Sequence, residues 1–221
     1  MKVIVITGST RGIGYGLAGS FLDLGCAVVI SGRRQEAVDK ALGGLSKKAS
    51  QGPVEARLSG YPCDVTVFEQ VQALWDQAKA KFGRVDIWIN NAGSSNSLNN
   101  FWDLSPELIR SVVETNLVGA MYGSQVALRG MLAQGEGAIY NMEGLGSDSR
   151  RSVRGLALYG STKAGLSYFN NALVDETRDG PVLVGSIRPG MVLTDMLLDR
   201  EYRSEEERAR AMKVFNIIAD R

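Results

Sequence analysis

The stretch KVIVITGSTRGIG, residues 2–14, runs from an apolar β-branched segment straight into a glycine-spaced turn. The apolar segment reads as a buried strand. Gly8, Gly12 and Gly14 follow it and open a helical segment, GYGLAGSFLDLG, that Gly25 ends. Glycine permits positive φ and lets the backbone approach a pyrophosphate closely. The helix N-terminus adds unpaired N–H groups and a positive dipole end. At this strand–turn–helix position the pattern predicts a phosphate cradle built from Gly8, Ser9, Arg11, Gly12, Ile13 and Gly14.

Outward from that cradle, apolar runs alternate with helical segments. AVVISG predicts a second strand, VEARLSGYPCDV a third, VDIWINNAG a fourth, GAIYNMEG a fifth and VLVGSIRPG a sixth. Charged or amphipathic helical segments lie between them. One of these, SPELIRSVVETNLVGAMYGSQVALRGMLAQG, reads as a single long helix with Ser105 as N-cap, Pro106 at its first position and Gly135 near its end. Such alternation implies parallel βαβ units in a doubly wound α/β sheet with helices on both faces. The chain has 221 residues and no internal repeat, which predicts one domain over 1–221.

Composition narrows the function. The hydrophobic fraction is 44%, the charged fraction 22% and the net charge +1, as in a soluble globular protein with a core. The charge balance gives no argument for nucleic acid as a partner. No apolar run approaches the roughly 20 residues of a membrane span, and the start of the chain does not read as a signal peptide. Cys26 and Cys63 read as buried, reduced thiols of a cytoplasmic protein. The chain contains no histidine, which removes Ser-His-Asp hydrolysis and the commonest zinc sites, and no metal site is expected. A general acid must then come from Tyr, Lys, Asp, Glu or Cys.

The second strand ends ISGRR, without the carboxylate that bonds a ribose 2′-hydroxyl in NAD sites. Arg33 could pair with a 2′-phosphate instead, and Arg11 can reach the same group. This favours NADP(H) over NAD(H). Asp64, at the end of the third strand with Val65 beside it, could bond the adenine amino group or simply cap the next helix.

TGSTRGIG, NNAG at 90–93, YGSTK at 159–163 and RPG at 188–190 occur in this order over nearly the whole chain. Together they resemble the classical short-chain dehydrogenase/reductase family. The resemblance implies a three-layer, Rossmann-type fold, a nicotinamide cofactor, and a Tyr–Lys active site acting on a small carbonyl substrate. Tyr159 and Lys163 are four residues apart, hence on one helix face. A phenol titrates near ~10; a neighbouring ammonium and a positive nicotinamide favour the phenolate and lower that value. By resemblance, Lys163 also bonds the nicotinamide ribose, and Asn116 holds a water in the proton relay. Asn90, Ala92 and Gly93 match the segment packed beside the cofactor. Pro189, Gly190, Val192 and Thr194 match the contacts to the carboxamide and phosphates.

Two departures stand out. The family's serine, usually thirteen residues before the tyrosine, is missing: position 146 is glycine, and Glu143 and Gly144 replace the usual serine pair. Ser147 is the best substitute for polarising the carbonyl, with Ser149 as the alternative. The loop NMEGLGSD is similar to that of the chlorophyll b reductase branch, whose members reduce the 7-formyl group of chlorophyll b. The second departure is that nothing after IIADR supplies the family's usual last strand: the chain is truncated, continues elsewhere, or ends differently. The segment 197–221 reads as a helical flap over the substrate. Phe101 and Trp102 read either as core anchors or as walls for a flat substrate. The resemblance implies a homodimer or homotetramer through the two long helices, whose apolar faces include Leu166, Phe169 and Leu173. A non-catalytic NADP-binding sensor, or an isomerase using the same Tyr–Lys pair, are the competing readings.

Overall fold

A computed structural model describes residues 1–48, 54–96, 99–148, 152, 154–190 and 205. Val192, Thr194 and Ser149 lie outside the described residues, as does the segment 197–221 except for Glu205.

Six strands form one sheet: β1 (Val3–Ile6), β2 (Ala27–Gly32), β3 (Leu58–Pro62), β4 (Ile87–Asn90), β5 (Gly137–Met142) and β6 (Val182–Ile187). Their order is β3-β2-β1-β4-β5-β6, and every pair is parallel. The helices are α1 (Gly12–Asp23), α2 (Gln35–Lys48), α3 (Phe68–Phe82), α4 (Pro106–Val113), α5 (Gly119–Gln134) and α6 (Ala157–Glu176). Val5, Val29, Trp88 and Ile139 face α3, α5 and α6 on one side of the sheet; Ile4, Ile6, Val28 and Ile30 face α1 and α2 on the other. The result is a three-layer α/β/α Rossmann-type fold. Its central strands are apolar along their length because both faces are covered.

The direction of winding reverses between β1 and β4, which opens a crevice at the carboxyl ends of those strands. The loops there are riveted to each other. Thr7 Oγ1 accepts from the backbone N–H groups of Asn91 (3.0 Å) and Ala92 (3.1 Å). Asn91 Nδ2 donates back to the carbonyls of Thr7 and Gly8. Gly8 has φ +60, and a Cβ there would lie 2.7 Å from Ala92 Cα, so both conformation and space require glycine.

Three expectations need correction, and two open readings are narrowed. The long helix predicted from Ser105 is not α-helical throughout: it runs on through a π-turn at Glu114–Val118, with Ser105 capping it and Gly135 ending it as expected. The third strand starts only at Leu58, because the chain before it turns at 55–57. Cys26 is half-buried rather than buried; Cys63 is buried, and burial beside Asp64 pushes its thiol up to about 12. Phe101 and Trp102 are not core anchors: they are 53% and 79% exposed on a short 3-10 turn. Leu166 and Leu173 are likewise buried within the fold, and α6 leaves Tyr168 and Val174 outside instead.

Candidate active site

The cradle begins where β1 ends. Ser9 turns its hydroxyl inward, donating to Ile6 O (2.6 Å) and accepting from Ser31 N (2.9 Å), so this side chain stitches β1 to β2. Gly14 is buried, with no room for a Cβ against Asn91 Nδ2. Gly12 is exposed at the first position of α1, whose first turn holds no acidic side chain. The N–H groups of that turn therefore face the crevice without a competing anion. Ile13 packs partly against the core, while Arg11 and Arg33 are exposed. Two buried hydroxyls at this edge of the sheet, Ser31 Oγ and Ser94 Oγ, have no hydrogen-bond partner among the described residues. A glycine cradle, a helix N-terminus and unsatisfied hydroxyls fit a bound dinucleotide.

Around that edge the remaining candidates separate into two groups. Asp64 Oδ1 accepts from Thr66 N (3.0 Å) and Thr66 Oγ1 (2.8 Å), so the carboxylate shapes the turn before α3. Val65 is buried against Gly119. Asn90 is also buried: its amide receives Trp88 Nε1–H (2.8 Å) and donates to Ala120 O, Ser124 Oγ and Asn141 Oδ1. It fixes β4 to α5 and β5 from beneath the crevice. Ala92 and Gly93 form the crevice wall above it, and Pro189 and Gly190 follow β6.

The second group converges on α6. Asn116 sits in the π-turn, where the extra residue swings it toward neighbouring segments. Its Oδ1 accepts from Ser94 N (2.7 Å), and its Nδ2 donates to Ser94 O (2.9 Å) and Thr162 Oγ1 (3.0 Å). Thr162 in turn donates to Tyr159 O (2.7 Å). Lys163 is 4% exposed, and its ammonium donates to Met142 O (2.8 Å) and lies 5.8 Å from the Tyr159 ring centre. Burial lowers the lysine to about 8, against the pull of the Glu143 carboxylate. The Tyr159 hydroxyl lies over Gly144, where an added Cβ would come within 2.5 Å of it.

The loop after β5 brings Ser147 back toward the tyrosine. Ser147 N donates to Gly144 O, and Ser147 Oγ accepts from Gly144 N, both at 3.1 Å. This closed turn carries the serine hydroxyl back to Gly144, the residue beneath the tyrosine hydroxyl. Gly146, at φ +102, allows the loop to lie on Gly160 of α6. Three contributors escaped the sequence reading. Thr162 was inside the YGSTK motif, Glu143 was visible only as a departure, and Arg188 opened the RPG motif without any sign of its bond to Glu143, 45 residues away.

The family model for short chain dehydrogenases matches residues 2–205. A rice (Oryza sativa subsp. japonica) protein named probable chlorophyll(ide) b reductase NYC1 is 38% identical over 98% of this chain and 44% of its own length. A second rice protein, chlorophyll(ide) b reductase NOL, is 40% identical over 88% of this chain and 57% of its own length. The chain thus spans about half the length of these curated relatives. A 3alpha-hydroxysteroid dehydrogenase of Mediterraneibacter gnavus is 34% identical over 89% of this chain and 76% of its own. Among solved structures, a putative short-chain alcohol dehydrogenase from Sinorhizobium meliloti superposes with TM-score 0.79 at 30% identity, over 88% of this chain and 74% of the other. A metagenomic short-chain oxidoreductase in complex with NADP superposes at 0.76 with 26% identity, over 86% and 83% of the two chains. With the nucleotide crevice and the Tyr–Lys helix in place, the chain belongs to the classical short-chain dehydrogenase/reductase family and is similar to its chlorophyll(ide) b reductase branch.

Proposed function

We propose that the chain is an NADPH-dependent carbonyl reductase whose substrate is the 7-formyl group of chlorophyll(ide) b. The observation that carries this reading is the convergence of three groups at Gly144: the Tyr159 hydroxyl above it, the Ser147 hydroxyl on its N–H, and Lys163 buried beside it.

The glycine turn and the N-terminus of α1 would hold the phosphates of a nicotinamide dinucleotide, with Gly8, Gly12 and Gly14 allowing close approach; that cofactor, when bound, would supply the hydride. Exposed Arg33, past the end of β2, supports a 2′-phosphate and thus NADP(H). The NADP bound to a structural relative supports the same choice. Val192 and Thr194 would complete the grip after Pro189 and Gly190. Ser147 bonds the substrate oxygen, and Tyr159 donates the proton to it. The Lys163 ammonium favours the phenolate that remains. Asn116 links the π-turn to the backbone of Tyr159 through Thr162, and so holds the tyrosine in register with Ser94 and the crevice wall.

The aldehyde assignment draws on the NMEGLGSD loop and on the two rice reductases. Exposed Phe101, Trp102 and Leu145 support a broad, flat, apolar substrate. Exposed Leu132 on α5 and Tyr168 on α6 support a homodimer or homotetramer. Among the described residues, no helix is long and apolar enough to cross a membrane. The two unpaired cysteines support a reducing compartment such as the cytoplasm, and the named plant relatives are chloroplastic.

The test is to incubate the protein with NADPH and chlorophyll b and to separate the pigments by chromatography. A hydroxymethyl product that disappears in Tyr159→Phe is expected. NADPH binding without any such product would remove the pigment assignment.

A further inference from the structure

Glu143 is a carboxylate at a point where the proton transfer needs none. Its side chain is 2% exposed at the end of β5. A buried carboxylate is costly unless it is paired and hydrogen-bonded. Arg188 provides the pairing: its Nε donates to Oε2 at 2.8 Å and its Nη2 donates to the same oxygen. Arg188 follows β6 and immediately precedes Pro189 and Gly190. Met142 O, in the peptide unit that joins Met142 to Glu143, accepts from Lys163 Nζ (2.8 Å). Glu143 therefore stands between the carbonyl that holds the ammonium and Gly144, the residue beneath the Tyr159 hydroxyl.

Among the described residues, the charged and titratable groups disposed toward Lys163 are few. Glu143, just past the end of β5, acts on it through its charge, and Tyr159 lies one turn earlier on α6. Behind Glu143 stands Arg188, with Asp148 of the following loop acting on it. From the segment after β4 and from the π-turn come Gly93 and Asn116, which do not titrate.

We propose that Glu143 is a positioning residue for Lys163: held by Arg188, its carboxylate keeps the buried ammonium charged beside Tyr159 and ties the end of β5 to the turn after β6. A neutral side chain at 143 would leave the ammonium opposed by burial alone. Arg188 moderates the carboxylate, so the two halves of the pair act on Lys163 in opposite directions. This inference rests on the Tyr159–Lys163 reading of the site, but its test needs no turnover.

The full chain, labelled with 13C-lysine, is titrated by NMR, with the Lys163 resonance assigned from Lys163→Arg. The wild-type midpoint is expected near 8. Glu143→Gln keeps the shape and an oxygen for Arg188, and should lower the midpoint by about one pH unit. Arg188→Met leaves the carboxylate uncompensated and should raise it. An unchanged midpoint in both variants, or shifts of the same sign, would overturn the proposal. Should Glu143→Gln not fold, the rise in Arg188→Met remains decisive, and its absence overturns the proposal. If the pigment assay fails while these opposite shifts appear, the substrate reading falls and the positioning role stands.

Discussion

Two buried carboxylates sit at opposite edges of the sheet, each bonded to a partly exposed arginine, and they are completed differently. At the amino edge, Asp86 accepts from Val3 N (2.7 Å), Lys2 Nζ (3.0 Å) and Arg84, which also binds Glu136. These bonds gather the starts of β1 and β4 and the approach to β5. Burial alone would raise Asp86, but the Val3 N–H, Lys2 and Arg84 outweigh it and hold the carboxyl below its ordinary value. At the carboxyl edge, Glu143 has Arg188 and then faces Lys163, an ammonium that burial pulls down to about 8. The amino edge uses charge to close the fold. The carboxyl edge keeps a charge opposed by burial beside the proposed proton donor, the kind of perturbation that marks a candidate site.

The sharpest way to break the comparison is a change that touches only the carboxyl edge. In Gly144→Ala the new Cβ would lie 2.5 Å from the Tyr159 hydroxyl and 3.5 Å from Lys163 Cε. Displacing the tyrosine by about an ångström should cost about 100-fold in NADPH-dependent reduction. The melting temperature should hardly move. Normal turnover in this variant would mean that the hydroxyl does not need its seat over Gly144.

At the amino edge the same logic predicts a stability effect instead. Asp86→Asn should cost about 2 kcal/mol in urea unfolding at pH 7. Because the folded carboxyl titrates below the ordinary aspartate value of about 3.9, its contribution is present above that pH. It is lost as the pH falls through the folded value, so the gap to wild type should close in acid. Equal stabilities at pH 7 would show that the cluster does not brace the sheet.

The smallest effect has the opposite sign. Lys163 is lowered from 10.5 to about 8, so the unfolded chain binds more protons between those values and stability rises with pH across them. Below pH 8 the buried charge costs about 3 kcal/mol, partly offset by about 1–2 kcal/mol from its bond to Met142 O. Lys163→Met should therefore be more stable than wild type by about 1 kcal/mol at pH 7, with the advantage fading toward the ordinary lysine range of about 10.4. A less stable Lys163→Met at pH 7 would contradict the burial penalty.

The same contrast governs what the sequence could tell. Features with a local cause were legible. AVVISG coincides with β2 because an apolar β-branched run buried on both faces has few alternatives, and Ser105, Pro106 and Gly135 mark helix ends by their own backbone chemistry. The glycine turn and the Tyr159–Lys163 spacing were legible for the same reason. Features set by distant partners were not. The π-turn at Asn116 follows from contacts to Ser94 and Thr162, 22 and 46 residues away. Asp64 could cap or bind, and only the fold directs its oxygen to Thr66. The two readings of Phe101 stayed open in the sequence, because apolar character does not say which neighbour covers a side chain, or whether any does.

In the proposed reaction hydride passes to a carbonyl carbon while Tyr159 donates the proton. The decisive experiment supplies NADPH deuterated at the transferring position of the nicotinamide, with chlorophyll b as acceptor, and analyses the pigment by mass spectrometry. Wild type should place one deuterium at the hydroxymethyl carbon, and Tyr159→Phe almost none although that variant still binds NADPH. Unlabelled product, or equal labelling by the two proteins, would contradict that reaction.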